Sequence, residues 1–216
     1  MNERVGRTAG PSAATRWRGW TQSLGVAFWA ILLTGCSKTV HWEEEVPLNT
    51  GETIWVKRSV RYELGGDSGN PMDVAYRPDR VERLAFTWNQ REYRYEGDAV
   101  LILLAISSKN QPVLVAPASW NDWDTRHQFA CAKPHYVQFA PNNGEKEWSW
   151  SPATDPSLYG MKSNLMLQRP IHYKNLGPRY LASDRESLDR SIWVKSPHTR
   201  SIDANYVAER CKEEKR

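Results

Sequence analysis

The chain reads as a mainly β protein, an antiparallel sandwich or open barrel of hairpins with a short C-terminal helix, and three observations carry that reading. Apolar and polar residues alternate at period two in several short runs, as half-buried strands require. Turn-forming residues such as Asn89-Gln90 and Asn142-Asn143-Gly144 fall between those runs. Helical signals are confined to the end of the chain, where Ser183-Asp184-Arg185-Glu186 has the form of a capping box and Asp203 can cap a second helix over residues 204–214.

The first segment is not part of that domain. Arg4, Arg7, Arg16 and Arg18 precede an apolar run over residues 24–33, which ends in Leu33-Thr34-Gly35-Cys36. A run of that length is too short to cross a bilayer as a helix, and a basic stretch followed by a short apolar run and small residues has the form of an export signal. The segment resembles the signal peptide and lipobox of bacterial lipoproteins. That resemblance implies a diacylglyceryl group on the Cys36 sulfur, cleavage ahead of Cys36 by signal peptidase II, and acylation of the new amine. It also implies a place in the cell envelope. Ser37 stands where an Asp retains enteric lipoproteins in the inner membrane, so the implied destination is the outer membrane, facing the periplasm. Several acyl chains exceed the marginal hold of one. An ordinary secretory signal would instead leave Cys36 incidental. The rest of the chain resembles only uncharacterised proteobacterial lipoproteins of similar size, which implies no activity.

Residues 1–35 are therefore expected to be a signal peptide, residues 36–52 the lipidated N-terminus with a short polar tether, and residues 53–216 a single β-rich domain. Asn49-Thr50-Gly51 marks a turn in the tether. From 53 to 63, Ile54, Val56, Val60 and Tyr62 share one face, and Lys57, Ser59 and Arg61 the other. Trp55 breaks the polar face and Arg58 the apolar one, exceptions that point to a partner strand or a paired charge. Residues 65–80, rich in Gly, Asp and Pro, read as a long loop. Leu84, Phe86 and Trp88 then pair with Tyr93 and Tyr95 in a hairpin about Asn89-Gln90. Residues 99–106 are apolar on both faces and suit a buried central strand, with residues 113–115 as its partner after a turn. A third hairpin joins Tyr136, Val137 and Phe139 to Trp148 and Trp150. Residues 151–180 read as an extended loop.

Composition narrows the function. The formal charge of +4 falls mostly in the signal, leaving 25 basic and 24 acidic side chains beyond residue 35, so the pI gives no support for nucleic-acid binding. With Cys36 committed to lipid, Cys131 and Cys211 remain, and in an oxidising compartment the expectation is one disulfide. Such a bridge would close a loop of about 80 residues, worth roughly 4.5 kcal/mol in a chain-entropy account.

Three stretches invite a catalytic or metal reading. Gly66-Asp67-Ser68-Gly69-Asn70-Pro71 looks like the nucleophile loop of trypsin-like proteases. Asn70 replaces a glycine there, however, and only His41 precedes Ser68 in the mature chain, against the order that family needs. Asp122, Asp124 and His127, with His135 close by, could contribute to a cation site but lack the regular ladder of a calcium loop. Cys131 and His135 could form a thiolate–imidazole pair, which a disulfide would consume. No catalytic residue, metal or cofactor is assigned.

Eight of the eleven tryptophans lie beyond residue 35, a high load for such a domain. Trp120, Trp123, Trp148 and Trp150 combine aromatic area with nearby hydrogen-bonding groups and are the candidate ligand-binding residues, with core filling as the competing role. The expected function is a membrane-anchored, non-enzymatic envelope lipoprotein that holds a β domain for contact with another envelope protein or for envelope assembly. A peptidoglycan or glycan-binding module is the alternative, and an envelope hydrolase the second alternative.

Overall fold

The computed structural model describes residues 37–67, 70–79, 81–118, 131, 133–142, 147–167 and 178–206, and every element below belongs to the compact unit that runs from Lys38 to Arg216, save the first residue of its first strand. It is mainly β, as the sequence predicts, and neither sheet closes into a barrel among these residues.

Among the described residues ten strands build two sheets. The larger contains β1 (Ser37–Pro47), β2 (Thr53–Asp67), β3 (Asn70–Pro78), β4 (Glu82–Trp88), β5 (Arg91–Gly97) and β10 (Arg179–Tyr180), in the order β10-β1-β2-β4-β5 with β3 alongside the second half of β2. The smaller runs β6-β7-β8-β9, from β6 (Leu103–Ile106), β7 (Pro112–Pro117), β8 (Tyr136–Pro141) and β9 (Trp148–Pro152). β2 pairs antiparallel with β3 and β4, as do β4 with β5, β6 with β7, β7 with β8 and β8 with β9, whereas β1 pairs parallel with β10. The α-helix α1 (Ala182–Lys195) follows β10.

The three hairpins expected from alternation are β4–β5, β6–β7 and β8–β9. Asn89 and Gln90, both at positive φ, supply the two-residue reversal between β4 and β5. Two expectations are corrected. The tether expected over residues 36–52 is instead β1 from Ser37 onward, closed by a turn in which Leu48 N–H donates to Glu52 O (2.7 Å) and Gly51 takes φ +87°. The alternation Val40, Trp42, Val46 was obscured by Glu44, which occupies an inward position. The loop expected over residues 65–80 is a hairpin: β2 continues to Asp67 and β3 returns from Asn70. Gly and Pro are tolerated because β3 is bonded on one side only and the register slips at Gly66/Asp67.

The inner faces of the two sheets share one core. Val56, Leu84, Phe86 and Tyr95 of the larger sheet meet Leu104, Leu114, Ala116 and Val137 of the smaller. The other face of the smaller sheet, with Val113, Val115 and Tyr136, is covered by Ala153, Leu158 and Ile202 from the C-terminal part of the chain, so β6 and β7 are apolar on both faces. The Tyr136 hydroxyl fixes that cover. It lies 2.9 Å from His198 O and accepts from Asp203 N–H (3.3 Å), and burial pushes it up to about 12. The far half of the larger sheet packs Trp42, Val60 and Tyr62 under Met166, Tyr180 and the α1 residue Leu188.

Helix α1 begins earlier than the capping box suggested. Asp184, rather than Glu186, is the reciprocating carboxylate, accepting from Leu181 N–H (2.9 Å), and Ser183 sits inside the helix. The cause is β10: pairing with β1 holds Tyr180, and the chain enters the helix immediately afterwards. Glu45 of β1 accepts from Ala182 N–H (3.1 Å), placing a carboxylate at the helix N-terminus. Of the second helix expected over residues 204–214, residues 207–214 lie outside the described residues; before them the chain makes a turn in which Asp203 accepts from Asn205 N–H (2.9 Å).

Asparagine side chains finish the buried edge of the smaller sheet. Asn164 Oδ1 accepts from Leu104 N–H (2.8 Å) while its Nδ2 donates to Leu104 O (2.7 Å) and Pro47 O (2.9 Å). Asn49 does the same for Ile106 at 2.8 Å in each direction. The two carboxamides stand in for the next strand and leave no orphan ladder groups at Leu104 and Ile106.

Candidate functional site

The two faces of β2 carry different chemistry because side chains alternate across a strand. Inward, Arg58 lies in a row between two apolar clusters. It donates to Glu44 Oε1 of β1 (2.9 Å), to Glu82 Oε2 of β4 (2.8 Å) and to Met166 O (2.7 Å), with the Trp42 ring centroid 5.2 Å from its guanidinium carbon. All three ionic side chains are buried. Glu44 Oε2 also accepts from Met166 N–H (2.8 Å), and Asp189 of α1 accepts from Leu167 N–H (3.1 Å). Burial pushes the Glu44 carboxyl up against the lowering effect of Arg58. Burial would lower the Arg58 guanidinium too, but the two carboxylates hold it above its ordinary value. Both terminal nitrogens of Arg58 and both oxygens of Glu44 are committed to structural partners, so this row, with Asp189, holds β1, β2, β4, α1 and the 166–167 segment together.

Outward, the same strands form a groove of about 630 Å³. The register explains it: Lys57 stands opposite Ala85, and Ser59 opposite Arg83, so two short side chains lie between long ones. Ala85 also faces Arg94, and Arg83 faces Glu96, across the β4–β5 pairing. His41 of β1 completes one wall. Arg83 pairs with Glu96 (3.2 Å) and Asp79 (3.1 Å), and Arg94 with Glu92 (2.9 Å). Lys57 is exposed and has no carboxylate within salt-bridge distance among the described residues. A second depression of about 410 Å³ shares His41 and Lys57 and reaches Glu43 and Arg179. There the Arg179 guanidinium lies 5.0 Å from the centroid of the Trp55 ring, which is 40% exposed, and Arg179 pairs with Glu43 at 2.8 Å. The Trp55 exception in the sequence is thus an aromatic on an open, charged sheet face.

The candidates from the sequence are placed as follows. Trp148 and Trp150 occupy alternate positions of β9. Trp148 is partly buried against Tyr93 and Tyr95 at centroid distances of 6.5 and 5.8 Å, and its indole donates to Arg94 O (2.7 Å), closing the edge of β5. Trp150 is 41% exposed. Trp120 and Trp123 lie outside the described residues, as do Cys36, Cys211, Ser68, Asp122, Asp124 and His127. Cys131 is exposed and disulfide-bonded, and in that state offers no thiolate to His135, which is buried beside the Tyr136, His198 and Tyr206 rings. Among the described residues no group of three or more His, Cys, Asp or Glu is arranged to hold a metal ion, and no helix is long and apolar enough to cross a membrane. The groove itself was missed in the sequence. Lys57, Ser59 and Arg61 read there as a solvent face, and the small-opposite-large pattern exists only once β2 and β4 are in register.

Fold and face together define a two-sheet β domain with one open, charged sheet surface. No protein-family model, curated protein or solved structure matches the chain.

Proposed function

We propose that the protein is a lipid-anchored cell-envelope lipoprotein, held at the outer membrane through Cys36, whose domain binds another envelope protein through the outer face of the larger sheet. The observation that carries this reading is the groove over Ser59 and Ala85. Its charges pair with one another along a shallow open surface, while Lys57 and His41 project from the floor and one wall, an arrangement suited to an extended segment bearing carboxylates. Cys211 is the expected partner of Cys131 in this reading. A photo-crosslinking residue in place of Glu92, on the rim, should give one dominant protein adduct in whole cells, and the same residue in place of Thr50 should not. Equal adducts at both positions, or none at 92, would remove the reading.

A second reading, a peptidoglycan-binding module, is favoured by Trp55, whose exposed ring beside Arg179 and Glu43 combines a stacking surface with hydrogen-bonding groups. Sedimentation with purified peptidoglycan tests it: retention that is lost in Trp55→Ala supports it, and a protein left in the supernatant removes it.

A further inference from the structure

β1 begins at Ser37, one residue after Cys36, and the short turn after Pro47 folds β2 back beside it. β2 therefore runs back toward the end of the sheet where β1 begins, and its last part, from Tyr62 to Asp67, pairs with β3 in a hairpin.

The inward apolar row of β2 does not stop where its cover stops. Val60 and Tyr62 are buried under Met166 and Tyr180, but Leu64, next on the same face, is 45% exposed. Its directly opposed partner on β3 is Tyr76, 48% exposed. Both are among the few large apolar side chains left open in the described structure. Lys38, exposed, stands at the same end of the neighbouring strand.

We infer that the flank of the β2–β3 hairpin, through Leu64 and Tyr76, is a second membrane contact that lies against the headgroup layer of the bilayer holding the Cys36 lipid. This rests on the anchoring proposed above. An anchor adjoining Ser37 brings this end of the sheet to the lipid surface. An aliphatic side chain beside a tyrosine, with a lysine at the rim, matches the apolar-to-polar gradient there, where Tyr is enriched and cations meet anionic headgroups. The tip sequence Asp67-Ser68-Gly69-Asn70 is polar, so the hairpin rests along the surface on its flank and does not pass through it. Two contacts on one rigid sheet fix the tilt of the domain, and with it the direction in which the outer groove faces. A lipid on a flexible tether would not.

The test uses the acylated chain in vesicles of phosphatidylethanolamine and phosphatidylglycerol, with a nitroxide on Tyr76→Cys or Thr50→Cys. Position 50 lies at the opposite end of β1, about 34 Å away. On reconstitution, the ratio of collisions with oxygen to collisions with a water-soluble nickel chelate should rise several-fold at position 76 and stay unchanged at position 50. Intact mass reports the state of Cys36 in the same samples. An acylated protein with position 76 as open to the chelate as position 50 overturns the hairpin contact and leaves the anchor standing; a chain recovered from cells without acyl mass on Cys36 overturns the anchor, and this contact with it.

Discussion

Arg58 and Lys57 are adjacent in sequence and face opposite sides of one strand, and their surroundings separate stability from recognition. Arg58 is buried among two carboxylates, a carbonyl and an indole. Lys57 stands in an open groove between shorter neighbours, with no carboxylate partner among the described residues. A buried ion pair is costly to break and commits its members to the fold, whereas an exposed cation contributes little to folding and is free to meet a ligand. The inner row therefore ties the sheet to α1, and the outer face is what the fold presents.

The largest effect that sharpens this contrast should come from Arg58→Met, which removes the guanidinium that the buried carboxylates of Glu44 and Glu82 share. Urea unfolding should show a loss of about 3–5 kcal/mol, or failure to accumulate folded protein. Asn164→Ala should come next, at about 2–3 kcal/mol, because Leu104 N–H and O and Pro47 O lose their partner in the interior.

Asp155→Ala should cost about 1 kcal/mol, since Asp155 caps the short turn at Pro156–Leu158 and accepts from Ser108 on the β6–β7 turn. The hydrogen bonds from Ser157 and then Ser108 hold its carboxyl down to about 2, from an ordinary 3.8. Its contribution is thus complete above pH 3.8 and lost as the pH falls through about 2, and the gap between Asp155→Ala and the parent should narrow over that interval in urea melts taken at successive pH values. The smallest stability effect should be that of Lys57→Ala, within about 0.5 kcal/mol. A loss there comparable to that of Arg58→Met would break the contrast between the two faces.

The sequence carried much of this organisation and little of the site. The hairpins were legible because each rests on local alternation and a turn residue, as with Phe86, Asn89-Gln90 and Tyr93. Arg58 announced itself as a charge out of place on an apolar face. β1 was hidden because Glu44, its counter-charge, broke the pattern of the neighbouring strand, so one buried pair made Arg58 conspicuous and β1 unreadable. β3 was hidden by Pro71, Pro78 and the glycines before it, which are admissible only because the strand is bonded on one side. The groove depends on Ser59 meeting Arg83 and Lys57 meeting Ala85 across strands separated by the whole β3 excursion, and no local periodicity encodes that meeting. Trp148 shows the converse limit: its spacing with Trp150 is visible in sequence, but not that its indole would close the edge of β5.

The measurement closest to the central claim is the adduct yield of the Glu92 crosslinking protein before and after Lys57→Glu is added, with the urea midpoint recorded for both. The dominant adduct should disappear while the midpoint stays in place. An adduct that persists at full yield with Lys57 reversed in charge would contradict the assignment of the outer face as the binding surface.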